Sequence, residues 1–382
     1  MRPLCTFAVL LAVLTVAGGC QKSEPPLPEK EQLERDLQAL TVHDIPALSD
    51  KAKNGDARAK YLLGQAYLTG RGVVENEEEA VKWFREASAQ EFVHAIRRMG
   101  DVYRNGWGVK PDDEEALRWY RRAAGKGNAE AQAEVGYMYY HGRGIATDLK
   151  EALRWYRLAA EQGNVVAQYN LALMYDNAEG VPQDYKDAEI WYRKAAEQGD
   201  ASAQNNLGVM YASGKGLAKD AAAAAEWYRK AAEQGDSTGQ MNLGSYYGEG
   251  KGVPQDDGQA AHWYMKAAEQ GEAEAQLRIG DMYGDGRTLP HNESEAARWY
   301  QKAADRDHSV AQRKLGLMYR DGQGLARDFV ASCFWLSRAA EIGDPEAREA
   351  LRALQARMPK REIADAERML AVWRERQETG QQ

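Results

Sequence analysis

The sequence repeats itself every 36 residues, and this periodicity constrains the fold more than any other feature. The stretch IWYRKAAEQGD at 190–200 returns as EWYRKAAEQGD at 226–236. Tryptophan recurs at the same step eight times without a gap, at Trp83, Trp119, Trp155, Trp191, Trp227, Trp263, Trp299 and Trp335. Periods of this length indicate stacked supersecondary units. The chain therefore contains eight repeats, over residues 57–344.

Each repeat is predicted to be a pair of helices. In residues 201–236, Ala203, Leu207 and Met210 fall on one face of a first helix. Gly208 lies in the middle of that helix, where glycine costs about 1 kcal/mol in helix propensity. A glycine retained at this cost indicates that a neighbouring helix packs closely against it.

The second helix of each repeat is framed by residues suited to helix ends. Asp or Asn stands at the predicted N-cap in all eight repeats, as Asn76, Asp112, Asp148, Asp184, Asp220, Asp256, Asn292 and Asp328. These side chains accept hydrogen bonds from the free N–H groups of a helix start. Trp227 and Tyr228 lie on the apolar face, and Gly235 suits a left-handed cap after the helix. Eight such helix-turn-helix units predict an all-α fold, an α-solenoid.

Both ends of the array carry candidate capping helices, which a solenoid needs because each terminal repeat has one unpartnered face. Residues 44–56 align with the last part of a repeat and are predicted to form an N-terminal capping helix. Residues 345–378 are predicted to form C-terminal capping helices, interrupted at Pro359.

The first 19 residues have the pattern of a secretory signal peptide, with an apolar run at 4–16 followed by small residues. The run is too short for a comfortable transmembrane helix. The motif AGGC at 17–20 resembles a bacterial lipobox, so Cys20 is the predicted lipidation site. A plain secreted protein with an incidental cysteine is the alternative. Residues 20–43 begin with a stretch rich in proline and charge and are predicted to form an extended tether.

These N-terminal features predict a protein anchored to the membrane by lipid and facing the periplasm. Gln21 favours the outer membrane under the sorting rule of enteric bacteria. Lys22-Ser23, in contrast, resembles the inner-membrane retention pattern of pseudomonads. Both the inner and the outer membrane therefore remain alternatives.

The composition narrows the classes of partner and of chemistry. A net charge of −8 argues against nucleic acid as the partner and leaves proteins and small ligands. The six histidines show no metal-binding spacing, and no nucleophile motif occurs. Of the three cysteines, Cys5 would leave with the signal peptide and Cys20 would carry the lipid. Cys333 is then the one remaining thiol and is predicted to be a small core residue. The sequence thus predicts no catalytic residue, no metal and no cofactor.

The repeat motif A-x-A-Q-x-x-L-G-x-M-Y-x-x-G-x-G-V-x-x-D-x-x-x-A-x-x-W-Y-x-K-A-A-E-Q-G resembles the Sel-one-like repeat (SLR) family, which is related to tetratricopeptide repeats. One repeat matches it at Ala203, Gln204, Leu207, Gly208, Met210, Tyr211, Gly214, Gly216, Asp220, Ala224, Trp227, Tyr228, Lys230 and Ala231. The resemblance extends over about 57–358. It implies a right-handed superhelix whose concave wall is lined by the first helices, and a role as a scaffold or adaptor for protein complexes.

The resemblance also raises an enzymatic alternative. Some bacterial members are rich in cysteine, with a disulfide in each repeat, and have been linked to β-lactam binding or hydrolysis. This chain departs from that branch because it has no cysteine pairs. The favoured interpretation is a non-enzymatic scaffold that serves the assembly or regulation of an envelope complex, and a β-lactamase-like hydrolase is the alternative.

Partner binding is expected where the repeats differ along the concave wall that the resemblance implies. These positions are rich in tyrosine and arginine in the first four repeats, and both residues are favoured at binding hot spots. The predicted partner-binding residues there are Tyr61, Arg97, Arg104, Tyr137, Tyr140 and Tyr169. One alternative is that they are ordinary solvated or packing residues. Another is a peptidoglycan or polysaccharide ligand, because tyrosine rings also stack on sugars.

Trp107 is a further candidate because it occupies the middle of a G-x-G loop. The other loops of this kind have Arg, Lys, Glu or Gln at that position. The ring is either exposed for a partner or folded over repeat one.

Overall fold

A computed structural model of the protein describes residues 29–379, and every regular element in that range is an α-helix. The predicted signal peptide, Cys20 and residues 20–28 of the predicted tether lie outside the described residues. Two helices precede the repeats, α1 (Glu29–Ala39) and α2 (Ile45–Lys53). Two follow them, α19 (Pro345–Gln355) and α20 (Lys360–Thr379).

Each repeat is a helical hairpin, which confirms the all-α solenoid. The first helices are α3 (Ala57–Thr69), α5 (Val93–Asn105), α7 (Ala129–His141), α9 (Val165–Asn177), α11 (Ala201–Ser213), α13 (Ser237–Glu249), α15 (Ala273–Asp285) and α17 (Ser309–Asp321). The second helices are α4 (Glu77–Ala89), α6 (Asp113–Ala124), α8 (Leu149–Glu161), α10 (Tyr185–Glu197), α12 (Ala221–Glu233), α14 (Asp257–Glu269), α16 (Glu293–Asp305) and α18 (Phe329–Ile342).

The described residues form two compact units. One comprises 29–95 with 107–110, and the other 96–106 with 111–379. Within the larger unit, first helices of successive repeats contact each other, as α7 does α9 and α11 does α13. Second helices of successive repeats approach each other less closely. The first helices therefore line the inner side of this array.

The helix ends follow the capping pattern of the sequence. The side chain of Asp220 accepts hydrogen bonds from the N–H groups of Ala222 and Ala223 at the start of α12. The other Asp and Asn residues of the series accept bonds from the second or third residue of their helices in the same way. Gly214 ends α11 in the left-handed conformation, with φ 79°. The predicted N-caps of the second helices are therefore confirmed.

The mid-helix glycine is required by a tyrosine ring of the second helix. A Cβ atom added to Gly208 would lie 2.7 Å from Cδ1 of Tyr228, which is itself 3% exposed. The same contact occurs between Gly136 and Tyr156. The preceding tryptophan in these two repeats, Trp227 for Tyr228, is only partly buried. The tyrosine is thus more deeply buried than the tryptophan in these hairpins.

A ladder of buried glutamines links successive repeats. Gln132, Gln168, Gln204 and Gln240 each donate a hydrogen bond from Nε2 to a backbone carbonyl of the preceding second helix. Their Oε1 atoms accept bonds of 2.6–2.8 Å from Gln162, Gln198, Gln234 and Gln270, at the end of the next second helix. Gln276 is 3% exposed, but its Oε1 atom has no hydrogen-bond partner in the described chain. Arg306 stands where the donating glutamine would be.

Replacing Arg306 with glutamine is therefore expected to stabilise the protein. The new amide can donate to the buried oxygen of Gln276, and a hydrogen bond of this kind contributes about 0.5–1.5 kcal/mol. The measurement is the urea concentration at the midpoint of unfolding. Arg306→Ala is the control because it removes the arginine without supplying a donor. Equal midpoints for the two variants would show that the missing bond is not the cause.

The helix α1 corrects the predicted extended tether. Residues 29–39 are helical, with Leu33 buried against the first unit at 4% exposure. The Asp36 carboxylate accepts a bond of 2.6 Å from Arg58, and Arg71 donates to the Gln38 carbonyl. The sequence EKEQLERDLQA is a good helix former whose apolar residues find a surface on α3. The proline-rich start of the predicted tether lies outside the described residues.

None of the helices between residues 29 and 379 combines the length and the apolar character needed to cross a membrane.

Candidate functional site

The two predicted arginines of repeat two lie on the inner wall but are engaged within the protein. Arg97 forms ion pairs with Asp101 at 3.2 Å and with Glu130 of the next repeat at 3.0 Å. Arg104 pairs with Glu134 and lies 5.4 Å from the centre of the Tyr137 ring. Their side chains are only 16% and 29% exposed. Binding a partner through either guanidinium would require breaking these pairs.

A buried polar network supports the two arginines. The Tyr120 hydroxyl donates to Asp101 at 2.7 Å, and burial raises the pKa of Tyr120 well above its usual range. Burial also raises the pKa of the Glu134 carboxyl, while Arg104 acts in the opposite direction. Because each charged group faces an opposite charge or a hydroxyl, the network has the character of a structural contact between repeats.

The predicted tyrosines of repeats three and four are partly exposed and lie along the inner wall. Tyr137 and Tyr140 flank His141, with ring centres at 4.2 and 4.8 Å. The Tyr140 hydroxyl donates to Glu179, and this bond raises the pKa of Tyr140 to about 12. Tyr169 lies 6.0 Å from the Tyr192 ring, and burial raises its pKa. The structure thus brings Arg104 and Tyr137 together, while Tyr169 packs against its own hairpin.

Tyr61 and Trp107 belong to the first unit and are packing residues there. Tyr61 is 8% exposed and its ring lies between Phe84 and Phe92, at 6.0 and 5.5 Å. Tyr61 therefore offers little exposed surface to a partner, and its role in partner binding stays a prediction. The Trp107 loop lies against repeat one, because the N–H of Gly108 donates to Glu77 at 2.7 Å. Trp107 is half-buried, which favours the alternative in which the loop folds over repeat one.

A large open site lies instead on the inner wall of repeats six to eight. It is a groove of about 860 Å³ between α13, α15 and α17. Sites that enclose ligands usually measure about 300–1,000 Å³. Gly248 and Gly284 line the groove at positions where repeats one to four have Leu68, Arg104, Tyr140 and Asp176. The missing side chains leave this part of the wall open.

Packing does not require these two glycines. A Cβ atom on Gly248 would meet only Ala260, at 3.6 Å, and one on Gly284 would meet the Tyr300 hydroxyl at 3.7 Å. Both are ordinary contact distances. Glycine within a helix destabilises by about 0.5–1 kcal/mol relative to alanine. Two such residues on successive first helices leave this part of the inner wall open, although packing has room for larger side chains there.

The loop of repeat seven borders the same groove and differs from the other loops. In repeat six the second glycine of the G-x-G loop, Gly252, has φ 67°, and an added Cβ would lie 2.1 Å from the carbonyl oxygen of Ala221. Gly144 and Gly216 make the same close approach to the preceding second helix. Repeat seven has Thr288 at this position. Thr288 does not have the positive φ of these glycines, so the main chain of this loop differs at that position. The loop still lies beside α14, with Thr288 and Leu289 next to Gly258.

Some of the charged side chains that line the groove form ion pairs, and others do not. Its lining includes five carboxylates, those of Glu249, Asp257, Asp281, Asp285 and Glu293. Asp281 accepts bonds from Lys314 at 2.6 Å and from Tyr300 at 2.7 Å. Asp285 pairs with Arg287 at 2.8 Å, and backbone and side-chain hydrogen bonds from Arg287 lower the pKa of its carboxyl. Asp257 and Glu293 have no ion pair within residues 29–376.

No cluster of His, Cys, Asp and Glu able to hold a metal occurs among the described residues. Cys333 is 1% exposed, and burial raises the pKa of its thiol. A buried thiol of raised pKa is a poor nucleophile. The predicted core role of Cys333 agrees with this environment.

Comparison with known proteins identifies the family. The Sel1 repeat model matches residues 57–92, 93–128, 129–164, 165–200, 201–236, 237–272, 273–308 and 309–344, which together are more than half of the chain. The chain belongs to the Sel1 repeat family. No curated protein matches the sequence significantly.

Two solved structures of Sel1 repeat proteins are similar along most of the chain. The first is c5321, a protective antigen of uropathogenic Escherichia coli with an SLR fold. It is 36% identical, has a TM-score of 0.76, and the match covers 86% of this chain and 71% of that one. The second is a Sel1 repeat protein from Oxalobacter formigenes, 31% identical with a TM-score of 0.62, over 88% of this chain and 98% of that one.

Membership in the Sel1 repeat family indicates a general class of function. Sel1 repeat proteins generally mediate protein–protein interactions, and the family is typically a non-enzymatic scaffold. The residues on the inner wall of this Sel1 repeat protein differ between repeats. The tyrosine and arginine pattern favours repeats one to four and does not predict the groove of repeats six to eight. The break of the G-x-G series at Thr288 and the glycines at 248 and 284 are the signals that identify it.

Proposed function

We propose that this Sel1 repeat protein is an adaptor of the cell envelope that binds a segment of a protein partner in the groove of repeats six to eight. The groove itself is the observation that supports this proposal. It is open and large enough for a short segment, and glycines line it where other repeats have larger side chains. A stack of rigid helices holds the surface in place before binding, which reduces the ordering that binding costs.

The proposal includes attachment to a membrane through a lipid on Cys20, with the repeats facing the periplasm. The lipobox-like motif supports it, and neither membrane is preferred. Anchoring raises the local concentration of the repeats near any partner in the same membrane. An adaptor of this kind would serve the assembly or regulation of an envelope complex.

Site-specific photo-crosslinking tests the binding surface directly. A photoreactive phenylalanine derivative is placed at Arg278 in the groove, at Tyr140 on the inner wall of repeat three, or at Ile190 on a second helix. We expect a discrete crosslinked protein from position 278 in intact cells and none from position 190. Crosslinking from position 140 alone would move the site to the predicted N-terminal half. Capture of cell-wall fragments in place of protein would favour the glycan alternative.

Replacing Cys20 with alanine is expected to abolish membrane attachment, because the lipid is joined to the cysteine thiol. The protein should then appear in the soluble fraction or remain unprocessed. The measurement is membrane fractionation combined with metabolic labelling by a fatty-acid analogue. Cys333→Ala is the matched control, since Cys333 is buried within the repeats. Unchanged fractionation and labelling of the Cys20 variant would contradict lipidation.

A further inference from the structure

The partner chemistry can be inferred from a comparison of two repeats. At the start of α6, the carboxylate of Asp113 receives the guanidinium of Arg143 from the next loop through two hydrogen bonds of 3.0 Å. Asp257, at the start of α14, holds the equivalent position in the sequence, and Arg287 is the equivalent arginine. The protein therefore contains both a filled and an unfilled version of one carboxylate–guanidinium pair.

The pair is unfilled in repeat seven because its loop takes another path. Arg143 is followed by Gly144, which packs against the main chain of Asp113 and brings the guanidinium to that carboxylate. Arg287 is followed by Thr288 and pairs with Asp285 of its own turn instead. Asp257 is exposed, lines the groove and makes no ion pair within the described chain.

We propose that the groove of repeats six to eight binds an extended partner segment whose arginine side chain pairs with Asp257. The inference rests on the proposed function and specifies its partner. Asp113 shows that a guanidinium fits this carboxylate through two parallel bonds, a geometry that arginine provides and lysine does not. The unpaired carboxylate of Glu293 on the same lining adds to the preference for a cation. Gly248 and Gly284 let the main chain of the segment approach α13 and α15 closely.

A library of random dodecapeptides displayed on phage provides the probe. It is selected on the full-length protein in detergent micelles, and the selected peptides are then measured by fluorescence anisotropy. We expect arginine to be enriched at one position of the selected peptides. Asp257→Asn should weaken their binding about tenfold, which corresponds to about 1.4 kcal/mol, because it removes the charge from the hydrogen-bonded pair. Replacing the enriched arginine of the peptide by lysine should also weaken its binding to the wild-type protein.

Two further variants separate this inference from a general loss of structure. Asp113→Asn alters the filled pair of repeat three and should leave peptide binding unchanged. Thr288→Gly restores the common loop sequence, so that Arg287 can reach Asp257 and close the site. This variant should bind the peptides at least tenfold more weakly while its unfolding midpoint is unchanged or higher.

The possible results distinguish the inference from the proposed function. Peptides that bind the groove without arginine enrichment, or equally well to Asp257→Asn, would overturn the arginine site and leave the adaptor function standing. If none of the selected peptides binds in the groove, both the arginine site and the proposed adaptor function are wrong. If the wild type proves to be a dimer that Asp257→Asn dissociates, the occupant is a second copy of this chain, and the inference of a separate partner is wrong.

Discussion

A protein in which Gly248 and Gly284 are both replaced by tyrosine is expected to lose partner binding while it stays as stable as the wild type. Both positions face the groove and have room for a Cβ atom, with nearest contacts of 3.6 and 3.7 Å. Repeat three has Tyr140 at the same position within an intact helix α7. Two tyrosine rings would occupy the space that a partner segment needs. Loss of a central contact region weakens binding on the order of 100-fold.

The matched control is the double alanine variant. Alanine at 248 and 284 leaves most of the groove open and removes two helix-interior glycines, each of which costs about 0.5–1 kcal/mol. This variant should bind the partner nearly as well as the wild type and unfold at a higher urea concentration. The measurements are photo-crosslinking yield from position 278 and the urea midpoint. If the tyrosine variant is crosslinked as efficiently as the wild type, the groove is not the binding site.

The sequence predicts the hairpin scaffold well because every local signal is repeated eight times. The capping residues, the apolar faces and the mid-helix glycine all recur at one spacing. An error in any single repeat is therefore corrected by the others. Even the close contact at Gly208 follows from this pattern, although the tyrosine ring that makes it became evident only from the structure.

Whether an inner-wall side chain is free, paired or buried is harder to predict, because this depends on residues of the neighbouring repeat. Arg97 and Arg104 resemble free hot-spot residues in the sequence, but Glu130 and Glu134 of the following repeat pair with them. Tyr61 is buried because of aromatic neighbours outside its own helix. Nothing in the local pattern around either arginine or Tyr61 identifies these partners.

The groove could have been found from the sequence by treating departures from the repeat as the signal. Thr288 breaks a glycine series that other loops keep, and the glycines at 248 and 284 occupy positions where other repeats have larger side chains. Thr288 loses a loop contact that the neighbouring repeats have, and the two glycines lower the stability of their helices. Function is expected at such positions because proteins break local rules mainly at functional sites.

Replacing Gly252 with alanine is expected to destabilise the protein by about 2–5 kcal/mol, the sum of a left-handed backbone penalty and overpacking. Gly252 has φ 67°, and an added Cβ would lie 2.1 and 2.3 Å from the carbonyl oxygen and carbon of Ala221. These are main-chain atoms at the start of α12, so no side-chain rotation relieves the clash. The measurements are urea unfolding and hydrogen exchange of the amides that begin α12.

Gly235→Ala is the control because it isolates the backbone penalty. Gly235 also has a positive φ, 93°, but a Cβ atom there has no neighbour within 4 Å. Its replacement should cost only about 1–2 kcal/mol. Thr288 indicates how the Gly252 variant would respond, since the residue in repeat seven does not adopt the positive φ of the second glycines. Faster exchange at the start of α12 is therefore expected in Gly252→Ala alone. Equal stability and equal exchange in the two variants would mean that the second glycine does not hold the loops in place, and the account of how the groove opens would then be wrong.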